Sequence, residues 1–194
     1  AIAPDLSEEV RYHFNLALFY QEEKNFPLAR REYERVVQMW PLYAEAHNNL
    51  GVVYKEIGMV DQAIIELNKA VALNPRYPRA YHNLGVVYQI KGDWRQATKN
   101  YEMTLSLDRN HLSSYNNLGL VYRSQKRVHE AREVASQLVN KTRALFLGQL
   151  SVHQPVGSLN LKRDELGEDA GHLAVATDFI TFDFHMTRCL LRHL

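Results

Sequence analysis

An all-helical solenoid is the fold class this sequence predicts, on three observations. Related segments recur at a fixed offset: HFNLALFYQEEK from His13, HNNLGVVYKEIG from His47, YHNLGVVYQIKG from Tyr81 and YNNLGLVYRSQK from Tyr115 lie 34 residues apart. Within each unit the apolar and small residues fall at helical spacing on two successive stretches, which is the pattern of two amphipathic helices. Glycine and proline punctuate these stretches, glycine between the two helices and proline after the second. Residues 10–145 therefore divide into four helical hairpins, at 10–43, 44–77, 78–111 and 112–145, preceded by a lead-in at 1–9 and followed by a non-repeating tail at 146–194.

The first hairpin carries His13, Leu16, Ala17 and Tyr20 on one helix and Ala29, Tyr33 and Val36 on the next, and Pro41 closes it. In the second, Leu50, Gly51 and Tyr54 precede Ala63, Leu67 and Ala70; Gly58 in EIGMVD marks the turn and Pro75 the end, because proline lacks an amide proton and blocks the preceding turn. The third repeats this with Tyr81, Leu84, Gly85, Tyr88, Ala97, Tyr101 and Thr104, a turn at Gly92, and Arg109 where the earlier hairpins hold proline. The fourth has Tyr115, Leu118, Gly119, Tyr122 and Ala131, then Ala135, Leu138 and Arg143, so its second helix departs most. After Leu145 the pattern stops. Gly148 to Asp169, with Pro155, Gly157, Ser158 and KRDELGED, reads as a linker. Phe179 to Phe184 alternates like a short strand and MTRCLLRHL suits a helix. If ordered, this end is expected to fold back over the last hairpin; a truncated or altered reading frame would equally explain the lost pattern.

The spacing of a bulky residue, Leu, a small residue, Tyr, Ala, an aromatic or Leu, Ala and Pro along 34 positions resembles the tetratricopeptide repeat, and the four units in register cover 136 of 194 positions. The resemblance implies a right-handed superhelix in which the first helix of every hairpin lines a concave groove. One hairpin cannot bury its own apolar face, so neighbours stack. Gly51, Gly85, Gly119, Ala63, Ala97 and Ala131 then present no bulk where helices cross, and leucine at Gly85 or Ala97 would overpack the stack.

Four groove candidates match in register: Asn15, Asn49, Asn83 and Asn117 each precede the leucine of the signature. A carboxamide offers two donors and an acceptor, so it can pair with both the N–H and the C=O of an extended peptide without reading its side chains. The competing role is a scaffold hydrogen bond to the neighbouring hairpin. Asparagine is a mediocre helix former, so four at one register are hard to ascribe to helix stability. The column is similar to the asparagine ladder in the repeats of O-GlcNAc transferase, where it holds extended polypeptide; the resemblance covers the repeats only. Three residues on, Leu18, Val52, Val86 and Leu120 form an apolar stripe that accepts peptide side chains or packs between hairpins. The columns Arg11, Glu45, Arg79, Ser113 and Glu22, Glu56, Ile90, Ser124 vary around it. Carboxylate clamping of a peptide C-terminus, known in some tetratricopeptide domains, fits poorly, since the cation positions hold Phe14, Asn48, His82 and Asn116; Arg79 and His82, one turn apart, remain candidates for meeting an acidic group.

Composition narrows the function classes. The 23 Lys and Arg nearly cancel the 22 Asp and Glu, and a net +1 gives no field for nucleic acid or anionic lipid. Near-neutrality is an average: residues 146–194 are net −2 and lack all 11 tyrosines, leaving +3 on the rest, with a basic excess of four in the fourth repeat. No apolar run is long enough for a membrane span, and no uncleaved signal peptide is visible at Ala1 to Asp5. A lone Cys189 excludes an intramolecular disulfide and suits a cytoplasmic location. His185 and Cys189 have i, i+4 spacing, but no further metal ligands at recognisable spacing accompany them, and no phosphate loop or nucleophile motif is present. The expected function is a non-catalytic adaptor without cofactor or metal, holding an extended segment of a partner protein in its groove. The alternatives are a regulatory or substrate-presenting part of a larger enzyme, and a self-assembling scaffold in which one chain occupies another's groove.

Overall fold

The computed structural model describes residues 7–152, with side chains through Ala144. Eight helices follow one another among them: α1 (Glu8–Glu22), α2 (Phe26–Met39), α3 (Ala44–Glu56), α4 (Val60–Leu73), α5 (Pro78–Lys91), α6 (Trp94–Leu107), α7 (Leu112–Ser124) and α8 (Val128–Val152). The strand-like stretch near residue 180, the capping segment, His185 and Cys189 lie outside the described residues. The architecture is an all-α solenoid in which each helix packs against the next in sequence. The odd-numbered helices also approach one another, α3 against α5 and α5 against α7. They therefore line the inner face of the curve, and the even-numbered helices form its outer layer.

Each hairpin turn is built the same way. Lys24, Gly58, Gly92 and Lys126 occupy one register and all four adopt positive φ, between 56° and 80°. The residue after each returns its N–H to the carbonyl of the register tyrosine, at Tyr20, Tyr54, Tyr88 and Tyr122, with N···O distances of 2.8–2.9 Å. This is a left-handed C-terminal cap, which satisfies helix-end carbonyls that would otherwise lack partners. N-termini use what the sequence supplies: Ser7, Asn25, Asp93 and His111 side chains accept backbone N–H groups of the first turn. Pro27 and Pro78 sit in first turns, where a missing N–H costs nothing.

α6 stops at Leu107 although Arg109 replaces the proline. The Asp108 carboxylate accepts the Asn110 N–H at 2.9 Å, as Asn74 accepts Arg76 N–H at 3.1 Å one repeat earlier, so the side chain turns the backbone where proline does not. α8 has Thr142 in that register and no proline, and it runs on to Val152, through the point where Gly148 suggests a linker.

The core is a series of clusters, each shared between hairpins. Phe14, Ala17, Tyr33 and Val36 join Leu50 and Val53; Ala63 and Leu67 join Leu84 and Val87; Ala97 and Tyr101 join Tyr115, Leu118 and Val121. Full burial of one such aliphatic or aromatic side chain stabilises by about 1.5–3 kcal/mol. The signature glycines face these large residues: a Cβ on Gly51 would lie 2.6 Å from Leu67 and one on Gly85 2.5 Å from Tyr101.

Candidate groove of the inner helices

The inner face is assembled from α1, α3, α5 and α7, and helical register decides which side chains reach it. In α3, α5 and α7 the residues three before and four after the asparagine are buried against the preceding hairpin: Ala46 and Val53, Ala80 and Val87, Ser114 and Val121. The asparagine column lies at the edge of that interface. Its members consequently differ. Asn49 is only 8% exposed; its carbonyl accepts from Asn48 Nδ2 at 3.0 Å, and its amide approaches the Tyr33 hydroxyl of the preceding hairpin. Asn83 is half-buried and donates to Asn48 Oδ1 at 2.9 Å. Asn117 is half-buried beside the Tyr101 hydroxyl. Asn15 has no preceding hairpin among the described residues and is exposed.

The scaffold role of these amides is therefore real at Asn49, whose carbonyl and amide are both engaged. Asn83 and Asn117 each keep a carbonyl oxygen with no partner among the described residues, and each amide group has a second N–H. They retain the donor and acceptor pair that a peptide group requires. The bond from Asn83 through Asn48 to Asn49 runs across two repeats and fixes the orientation of the Asn83 amide.

Beside the column, Leu18, Val52 and Val86 are half-buried and Leu120 is 40% exposed. Leu18 packs on the first core cluster and Val86 on the cluster of the last two repeats, so this stripe serves both as inter-hairpin packing and as groove floor. Ile90, one turn beyond Val86 on α5, is 57% exposed and extends the apolar surface.

The charge around this floor is sparse. Arg79 is exposed on the first turn of α5. Lys55 is paired with Glu56 at 2.6 Å. His82 does not add a cation to Arg79, contrary to the expectation of an anion-meeting pair. Burial, reinforced by His111 and Lys55, pushes its imidazole down to about 4, so it is neutral at physiological pH. His82 instead belongs to a cluster that sequence spacing did not reveal. Its Nδ1 lies 2.8 Å from Ser114 Oγ, which lies 3.0 Å from His111 Nδ1, and the two rings lie tilted by 41° with centroids 4.7 Å apart. His111 Nδ1 also accepts the Ser114 backbone N–H and caps α7. That makes His111 Nδ1 an acceptor, so the hydroxyl donates to it and His82 Nδ1–H donates to the hydroxyl. His82 is 29 and 32 positions from His111 and Ser114, and only the folded stack brings it to that N-cap pair.

Two further histidines sit away from the groove. His13 and His47, in one register, contact Glu32 and Glu66 at 2.6 Å, and His47 Nε2 lies 2.9 Å from the Pro41 carbonyl. Burial alone would raise the Glu66 carboxyl, but hydrogen bonds from His47 and Lys69 outweigh it and hold it below its ordinary range. In the third and fourth repeats this pair becomes Tyr81 with Asn100 and Tyr115 with Val134, so it is a packing element of the hairpin. Among the described residues no group of three or more His, Cys, Asp or Glu could hold a metal, and no helix is long and apolar enough to cross a membrane.

Comparison with known proteins finds repeats of the same kind. A family model described as "Tetratricopeptide repeat" matches residues 76–144, and one described as "TPR repeat" matches residues 56–92. No curated protein matches the chain in sequence. Among solved structures, MamA superposes with a TM-score of 0.68 at 28% identity, over 70% of this chain and 79% of that one. The first TPR of Spaghetti (RPAP3), bound to the HSP90 peptide SRMEEVD, gives 0.61 at 22% identity over 62% of this chain and 96% of that one. A mutant of the Thermobaculum terrenum O-GlcNAc transferase gives 0.56 at 24% identity, over 59% of this chain and 22% of that one.

Proposed function

We propose that this chain of tetratricopeptide repeats is a non-catalytic adaptor that holds an extended segment of another protein along its inner face. The observation that carries the reading is the row of half-open amides at Asn83 and Asn117 beside the aliphatic floor of Val86, Ile90 and Leu120. Amides at successive repeats suit a peptide backbone, and an apolar floor suits alternate side chains pointing the same way. Peptide capture by a neighbouring fold, the RPAP3 repeat domain with its HSP90 peptide, is compatible with this use of the inner face. An acidic peptide of that kind is not the ligand class favoured here. Lys55 is occupied by Glu56, His82 is neutral, and Arg79 is the remaining groove cation on α5.

A displayed library of short random peptides, selected on the full chain, tests this. Enrichment of sequences with aliphatic residues at alternate positions is expected. Replacing Asn83 and Asn117 together by alanine should abolish capture of those peptides while the helical signal stays unchanged. Asn49→Ala should act differently, lowering unfolding stability by about 1–3 kcal/mol because it leaves buried partners unsatisfied. Equal capture by the folded Asn83/Asn117 variant would overturn the proposed groove.

A further inference from the structure

The contacts between successive hairpins are repeated closely enough to show what each end of the solenoid is shaped to meet. Tyr54 and Tyr122 hydroxyls donate to Glu34 and Glu102 of the preceding hairpin, at 2.8 and 3.0 Å; Lys91 donates to Asp61 at 2.7 Å; the amides of Asn49 and Asn117 meet Tyr33 and Tyr101. Each contact links one register position on an inner helix to one on the outer helix before it.

At the N-terminal end this inner-helix face is uncovered among the described residues. Tyr12 is 63% exposed and Phe19 54%, whereas their register equivalents Ala46, Ala80, Ser114 and Val53, Val87, Val121 are fully buried. Glu8 and Glu22 on α1 and its C-cap residue Glu23 flank them, at i, i+3 and i+4 steps. At the other end of the described residues the outer-helix register falls on α8. His129 stands where Asp61 meets Lys91, Ser136 where Glu34 and Glu102 meet tyrosines, and Val139, 40% exposed, where Val37, Val71 and Leu105 pack into core clusters.

From these two faces we infer that the chain associates head to tail, with α1 of one copy stacking on α8 of a second copy as α3 stacks on α2. Continuity with the internal interface places Glu23 opposite His129 and the Tyr20 hydroxyl opposite Ser136, and charge favours the same pairing. Residues 8–23 carry four acidic side chains against Arg11, and the fourth repeat carries six basic side chains against Glu130 and Glu133. The contact joins two different faces, so it leaves one of each unused and extends to longer assemblies. It lies at the solenoid ends, apart from the groove, and does not depend on the peptide-binding reading.

Light scattering of the full chain over a wide concentration range tests the inference. The mass is expected to rise above the 22.5 kDa monomer with concentration, and to fall back in about 1 M salt, where the screening length shrinks to roughly 3 Å. Two variants separate the faces: Phe19→Lys with Glu23→Lys on α1, and Arg132→Glu with Val139→Glu on α8. All four positions are exposed, so the helical signal should match the unaltered chain. Each variant alone is expected to be monomeric, and an equimolar mixture should give a capped heterodimer and nothing larger, since one intact face of each kind remains. Unaltered chain that stays monomeric throughout overturns the inference, as does self-association persisting in either variant, or a mixture that forms no heterodimer.

Discussion

The glycines of the repeat illustrate how one position can have opposite sensitivities on the same scaffold. Gly51 and Gly85 sit against Leu67 and Tyr101, and Tyr101 is further held by its hydroxyl bond to Gln89 at 2.8 Å, so it has little freedom to retreat. Gly119 faces Ala135 in that register, and a Cβ there would meet nothing closer than Val134 at 3.9 Å. Gly85→Ala should therefore lower unfolding stability by about 1–3 kcal/mol through overpacking. Gly119→Ala should raise it by roughly 0.5–1 kcal/mol, because it relieves the backbone entropy cost of glycine in a helix without a clash. Urea unfolding of the two variants checks the difference in sign. The glycine register is plain in the sequence, and its uneven sensitivity is too, once Ala135 is read against Tyr101. The division of the asparagine column was not legible in that way. Asn49 and Asn83 share the following LGVVY, but Asn49 comes after Asn48, whose amide fills its carbonyl, and Asn83 comes after His82; that bond, made in the folded stack, separates a buried scaffold amide from an open one. The same limit hid the meeting of His82 on α5 with His111 and Ser114 at the start of α7, which the stack brings about.

At the scale of the element, the hairpin turns were half visible. Gly58 and Gly92 announce a left-handed cap, whereas Lys24 and Lys126 adopt the same conformation without a residue that favours it. The tertiary register imposes it: the carbonyls of Tyr20 and Tyr122 must still find donors, and the left-handed residue brings the next N–H to them. A left-handed conformation costs a non-glycine residue about 1–2 kcal/mol, part of which glycine returns as extra freedom in the unfolded chain. Lys126→Gly should accordingly stabilise by about 0.5–1 kcal/mol, read as a raised melting temperature with unchanged helical signal; a loss of stability would show that the lysine side chain makes a contact of its own. Helix ends follow similar logic. Pro41 and Pro75 mark two stops openly, Asp108 supplies a third through its side chain, and the absence of either device lets α8 continue to Val152.

For the molecule as a whole, the near-zero net charge conceals a directional solenoid. Its N-terminal helix is acidic, its last repeat basic, and its core is a chain of clusters that each bridge neighbouring hairpins. Such an arrangement distributes stability along nearest-neighbour interfaces and leaves the inner face of α3, α5 and α7 free of core-forming duty except at its floor. That face is the centre of the account. The most direct measurement is photo-crosslinking of a selected peptide, carrying a benzophenone at its middle residue, followed by mass spectrometry of the modified chain. Adducts on Val86, Ile90 and Leu120 are predicted, lost when Asn83 and Asn117 are replaced. Adducts concentrated on the outer helices α4 and α6, or on Tyr12 and Phe19 at the solenoid end, would contradict a peptide-holding groove.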